Sequence, residues 1–175
     1  MSRRVTYTAL VVALLVLAVI AALLIWTLRS PANGTVYFVR SQQLDSRLEP
    51  VSRPLGVQDQ EARLKNALDA LIAGPNAEEK ARGLSSAMPQ ETRVLDLDFA
   101  GGLVTVNLSA EFERGGGTTL MTARLNQLFY TLTEDPAVTR VSLDVEGWPV
   151  KVFSGQGLII DNPWDRTYHE TLPVW

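Results

Sequence analysis

Between Val5 and Leu28 the chain runs for 24 residues without an Asp, Glu, Lys, Arg, His, Asn or Gln, and Arg3, Arg4 and Arg29 stand at its two ends. As a helix rising about 1.5 Å per residue, this segment reaches about 36 Å, enough to cross a hydrocarbon core of about 30 Å with some tilt. A cleaved signal peptide is the competing reading, with Arg3 and Arg4 as its basic region and Val19-Ile20-Ala21 as a small-residue cleavage context. Against cleavage, the apolar run continues through Ala22 to Trp26, and Trp26 with Arg29 suits an interfacial anchor. The pattern predicts a signal anchor over 1–29, a transmembrane helix touching lipid through residues 5–28, and a linker over 30–34. A short tail, one helix and a long domain predict that the domain lies on the extracytoplasmic side of the cell membrane, because long domains translocate largely regardless of charge.

All 19 acidic residues follow that segment, so the part from Ser30 onward carries 13 basic and 19 acidic residues, a net of −6. Nucleic-acid affinity comes from basic groups that release counterions, so no nucleic-acid partner is expected. The chain has no cysteine, which excludes disulfides, thiol catalysis, Cys-based metal sites and a lipid-modified cysteine.

Thr35 to Arg40 is rich in β-branched and aromatic residues and predicts a first strand. Leu48 to Leu55 is extended but carries Pro50 and Pro54, which predicts an edge strand or covering segment with a weak sheet role. Asp59 is placed to cap a helix whose Leu64, Ala67, Leu68, Leu71 and Ile72 share one face, and Gly74-Pro75 stops it. Asn76 opens a short helical turn ending at Gly83, and Leu84 to Pro89 reads as a loop. Leu95, Leu97 and Phe99, then Val104, Val106 and Leu108, alternate with polar residues around Gly101-Gly102, the pattern of a hairpin with one buried face. After Gly115-Gly116-Gly117, Thr118 or Thr119 is a candidate cap for a helix with an apolar stripe of Met121, Leu125, Leu128, Phe129 and Leu132. Val141, Leu143 and Val145 mark a last clear strand. Each helix has one stripe to bury, so the expected fold is α+β: a two-layer sandwich of two amphipathic helices on a mixed or antiparallel sheet, preceded by the transmembrane helix. The domain is expected over 35–150, with 151–175 as a C-terminal extension packed on it.

Few residues suggest chemistry. Paired carboxylates can act as general acid and nucleophile in glycoside hydrolysis, and Asp96/Asp98 and Glu111/Glu113 are the pairs present. Asp96 and Asp98 are the polar partners of an apolar alternation and read as a solvated face. Glu111 and Glu113 lie past a strand end, where sites are commoner. His169, the only histidine, sits in an irregular tail, and no metal-binding or nucleophile motif surrounds it or any serine. Gly115-Gly116-Gly117 lacks the lysine and spacing of a phosphate loop and reads as a flexible helix entry. Trp148, Trp164, Trp175 and Tyr168 either form an aromatic platform for a sugar or peptide or pin the tail to the core. No catalytic, cofactor-binding or metal residue is assigned. Glu111, Glu113, Trp148, Trp164 and Tyr168 form the candidate ligand or partner surface.

Leu71-Ile72-Ala73-Gly74-Pro75, Gly83 through Pro89, Val104 through Phe112 and Thr131 through Pro136 stand in a characteristic order, between Val36-Tyr37-Phe38 and the run Val141 to Gly147. Over about Thr35 to Val150 the chain resembles the GerM domain of sporulation and spore-germination proteins. The resemblance implies an α/β domain held outside the cytoplasmic membrane by a signal or lipid anchor, similar to ring-building domains of envelope-spanning assemblies. It carries no catalytic residue over to this sequence. The chain departs from many relatives in having no lipobox cysteine and no second copy of the domain. The function expected is that of a non-enzymatic, membrane-anchored module of the bacterial envelope that binds a protein partner or itself. A peptidoglycan- or glycan-binding module is the alternative, and a wall-modifying hydrolase stands behind it.

Overall fold

The computed structural model describes residues 15–20, 33–42, 45–56, 59–153, 158–160 and 162–169. It divides into two units at Ala32/Asn33. In the first unit, residues 15–20 are helical, and no described helix is long and apolar enough to cross a membrane. The remainder of the predicted anchor, and most of the linker, lie outside the described residues.

The second unit begins with a hairpin of β1 (Asn33–Gln42) and β2 (Asp45–Pro54), paired antiparallel from Asn33↔Pro54 to Gln42↔Asp45. The weak sheet role expected near Pro50 and Pro54 is corrected, because β2 pairs along its whole length. Its prolines are tolerated by register. Pro50 faces Tyr37, whose N–H donates to Thr131 Oγ1 at 3.1 Å and whose C=O accepts from Gln127 Nε2 at 2.8 Å. Those Tyr37 groups point away from β2, so the position opposite needs no donor, and Pro54 opposite Asn33 has the same parity.

Helix α1 (Gln60–Ala73) starts at Asp59, whose carboxylate accepts from Ala62 N–H at 2.9 Å, and stops at Gly74 with φ +79°. In α2 (Ala77–Ala81), Asn76 and Glu79 form a reciprocal capping box. The loop expected after it contains a two-residue strand, β3 (Leu84–Ser85), paired with Val39 and Arg40. Strands β4 (Val94–Ala100) and β5 (Leu103–Leu108) form the expected hairpin across Gly101 and Gly102. Both glycines have positive φ, +56° and +80°, as the mirror-image turn of a two-residue hairpin demands.

Helix α3 (Thr118–Thr133) follows, then β6 (Arg140–Val145), parallel to β5. The Thr118/Thr119 cap is corrected: Gly117 holds the N-cap position without a side-chain bond, and Thr118 is already helical. β7 (Trp148–Pro149) turns back on β6, β8 (Val152–Phe153) pairs with β9 (Leu158–Ile159), and β10 (Trp164–Asp165) adds to the outer side of β6 before α4 (Arg166–His169). Part of the C-terminal extension is thus a strand of the sheet.

The α+β class stands, but the single sheet with both helices on one face is corrected. There are separate sheets, ordered β2-β1-β3 and β10-β6-β5-β4, with β7 branching from β6. Helix α3 packs on both β1 and β6, and α1 on both β1 and β4. The helices are therefore enclosed from two sides. The core runs through Val36, Phe38, Leu68, Leu71, Val104, Val106, Leu128, Phe129, Val141 and Leu143.

Candidate functional site

The strand ends at Leu108 and Val145 share one end of the domain, where a 3-10 turn over Ala110–Glu113 leaves β5. Ser109, fully buried, fixes that exit: its N–H donates to Arg93 C=O and its Oγ accepts from Arg93 N–H, both at 3.0 Å. The Ser109 hydroxyl also favours the charged form of Glu111. Its influence, with Glu111's own backbone and then Arg114 and Arg93, holds the Glu111 carboxyl below the usual glutamate range. Arg114 Nη1 lies 3.3 Å and Arg93 Nη2 3.8 Å from its oxygens. Glu111 is therefore a half-buried, ionised carboxylate engaged in structure. A general acid needs the opposite, a carboxyl pushed up so that it keeps its proton. Glu113 is half-buried in the same turn.

The β6–β7 turn closes beside this exit. Glu146 adopts φ +50° and Gly147 φ +79°, Glu146 N–H donates to Leu108 C=O at 3.0 Å, and Glu146 Oε1 accepts from Ala110 N–H at 2.8 Å. Gly147 N–H donates to Asn107 Oδ1 at 2.9 Å. Held this way, the turn presents Trp148 to solvent with 77% of its surface exposed.

Beneath it lies Arg124, only 2% exposed, whose guanidinium donates to the carbonyls of Ala87, Phe112, Arg114 and Gly115. Burial pushes its pKa down to about 10, so it stays charged at neutral pH. It ties the 3-10 turn and the glycine run to α3.

The structure brings Glu111, Glu113 and Trp148 to one end of the domain and separates the other two candidates from them. Trp164 is a core residue, 1% exposed, stacked on Phe129 with ring centres 5.8 Å apart. That corrects its place in a ligand surface: the tail-pinning alternative describes it, because a ring buried against Phe129 offers no face to a ligand and removes its apolar area from water. Tyr168 falls in α4, and its side chain, like Trp175 and the His169 side chain, lies outside what the structure describes. Asp96 and Asp98 are exposed, as their alternation predicts. Among the described residues, no three acidic or histidine side chains converge on a metal-sized site.

Sequence reasoning missed Arg93, Arg114, Arg124 and Glu146. Arg124 carried a readable signal: it sits three residues after Met121 and four before Leu128, inside the apolar stripe. The others are set by strand-end register, which periodicity does not reveal.

The opposite end of the domain holds a cleft of about 220 Å³ lined by Asn33, Thr35, Arg63, Thr131, Glu134 and Asp135, among others. It joins the start of β1 to the C-terminal end of α3, a helix of 16 residues and so about 24 Å long. Glu111 and Trp148 consequently lie far from the point where the chain enters the domain. There Tyr37 Oη donates to Glu134 at 2.7 Å; burial first, then this bond, raises the phenol to about 12.

Comparison with known proteins agrees with this architecture. The tandem GerMN domains of the sporulation protein GerM from Bacillus subtilis are 24% identical over 66% of this chain and 39% of theirs, with a TM-score of 0.56. The chain thus spans about two fifths of that tandem structure. The first GerMN domain alone is 18% identical over 78% of this chain and 98% of its own length, with a TM-score of 0.62. A candidate lipoprotein from Clostridium perfringens is 22% identical over 78% of this chain and 88% of its own, with a TM-score of 0.56. No curated protein matches the chain. These likenesses share the fold, and the family model for sporulation and spore germination matches residues 35–151. The chain belongs to the Germane family, the sporulation and spore-germination domain.

Proposed function

We propose that this protein is a non-enzymatic module of the bacterial envelope, anchored to the cell membrane through residues 5–28 with its domain on the extracytoplasmic side, and that it works by binding a protein partner. The observation that carries the reading is the end of the domain remote from Asn33. There Trp148 is exposed on a turn locked by Glu146 and Gly147, and Glu111 is spent on Ser109, Arg114 and Arg93. A rigidly presented tryptophan is a common anchor of protein interfaces. A carboxylate held ionised and ion-paired is a poor acid for hydrolysis.

A photo-crosslinking residue at Trp148 in living cells tests the reading. Transfer to one discrete envelope protein, or to a second copy of the chain, is the expected outcome. Recovery of monomer alone from this and other surface positions overturns it. Because an exposed indole also stacks on sugars, purified peptidoglycan provides the second arm. Retention of the full chain on that wall material, lost in Trp148→Ala, would move the reading to a glycan-binding module.

A further inference from the structure

Among the described residues the two main sheets end in four outer strands, β2, β3, β10 and β4, and they are not equivalent; β3 is only two residues long. β2 is broken as a template, since the parity of its pairing turns the ring nitrogens of Pro50 and Pro54 outward. β10 offers only two residues. β4 is seven residues long, with no proline, lysine or arginine. The two-residue turn at Gly101-Gly102 makes Ala100, Asp98 and Asp96 the residues that exchange bonds with β5, so the N–H and C=O groups of Leu97 and Phe99 point to the open side. A register shift between Val94 and Asp96 bulges Leu95 out of the ladder, leaving it 44% exposed.

A groove of about 330 Å³ runs beside this edge, between Val94–Leu97 and the first turns of α1. Its charged lining is mostly acidic: Asp59, Glu61 and Asp96, with Asp98 one step along the strand. Lys65, the cation there, is paired with Asp69 at 2.9 Å. We propose that the outer edge of β4 is the docking site for an extended, basic segment of a partner protein, which adds to the sheet as a further strand. Main-chain bonds to Leu97 and Phe99 would supply affinity, Leu95 an apolar contact, and the carboxylates the preference for lysine and arginine. The proposal rests on the partner-binding reading above and names one surface and one chemistry for it.

The test uses the full chain in detergent micelles and an alternating Lys/Val octapeptide as the probe. Binding is expected, with amide exchange of Leu97 and Phe99 slowed about tenfold or more. An alternating Glu/Val octapeptide should not bind. A Lys/Val peptide N-methylated at every second residue keeps its charge but loses one bonding edge, and it should bind at least about tenfold more weakly. The double variant Asp96→Lys, Asp98→Lys, both at exposed positions, should lose about tenfold in affinity while keeping the parent melting temperature. No binding, equal binding of the methylated peptide, or protection at sites other than Leu97 and Phe99 overturns the proposal. If these fail while crosslinking from Trp148 still captures a partner, the edge inference falls and the interaction reading stands; if crosslinking also returns monomer alone, both fall.

Discussion

Helices α1 and α3 look alike in sequence, each a run of 14 to 16 residues with one apolar stripe, yet they occupy different environments. In α1 the buried residues are the stripe itself, Leu64, Ala67, Leu68 and Leu71. In α3 the stripe is buried and so are Thr122, Arg124, Asn126, Gln127, Thr131 and Thr133. The difference lies in what each polar side chain meets. Lys65 on α1 pairs with Asp69 in solvent, whereas Gln127 and Thr131 on α3 complete the hydrogen bonding of Tyr37 on β1, and Arg124 gathers four carbonyls. A polar helix face is not necessarily a wet one. It can serve as the missing neighbour of a strand, which is how the side of β1 beyond the short β3 is satisfied.

Arg124→Ala should separate the two helices most strongly. Removing the guanidinium leaves the buried carbonyls of Ala87 and Phe112 without donors, each worth about 1–3 kcal/mol, so a loss of about 3 kcal/mol or more is expected by denaturant titration. Lys65→Ala on α1, an exposed pair, should change stability by less than about 0.5 kcal/mol. Equal effects at the two positions would end the distinction. Gln127→Leu is a milder probe. It keeps the volume but strands the Ala87 N–H, which donates to Gln127 Oε1 at 2.7 Å, and the Tyr37 C=O, for an expected loss of about 2 kcal/mol.

Much of the fold was legible because local chemistry decides it. Asp59, Gly74-Pro75 and Asn76 bound their helices where they stand, and Gly101-Gly102 makes its hairpin. Val104, Val106, Leu108, Val141, Leu143 and Val145 were readable as one buried face from alternation, and all are buried. What could not be read depends on partners distant in sequence. The pairing of β2 with β1 follows from a register in which both prolines face outward. The enclosure of α3 follows from β1 lying against it some 90 residues away, as the Tyr37–Gln127 bond shows. The candidate surface was half legible for the same reason: Glu111 and Trp148 follow strand ends, which patterning locates, but Trp164 turns inward because β10 joins β6, a long-range pairing.

Glu79 on α2 extends the comparison to pH. Like Arg124 it is a buried charge, 4% exposed, but its partner is a countercharge: Arg53 Nη1 donates to its Oε1 at 2.7 Å and Nη2 to its Oε2 at 2.5 Å. The bond from Arg53 is the main cause holding the Glu79 carboxyl below its ordinary value, helped by the capping bond from Asn76 N–H and opposed by burial. A carboxyl depressed in the folded state contributes stability that is complete above the unfolded value, about 4.3, and is lost as pH falls through the lower folded one. Arg124, whose partners are uncharged carbonyls and which keeps its proton below about 10, contributes no slope in that window. Glu79→Gln retains an oxygen for Asn76 but takes the countercharge from Arg53, which is only 17% exposed, so at pH 7 it should cost about 2 kcal/mol or more. Its clearer signature is the acid limb: unfolding free energy measured from pH 6 down to pH 3 should fall less steeply in Glu79→Gln than in the parent, while in Arg124→Ala the limb keeps the parent slope at a lower height. Parallel limbs in Glu79→Gln and the parent would show that the Arg53–Glu79 pair, like the carbonyl fan around Arg124, holds the structure together without reporting on protons.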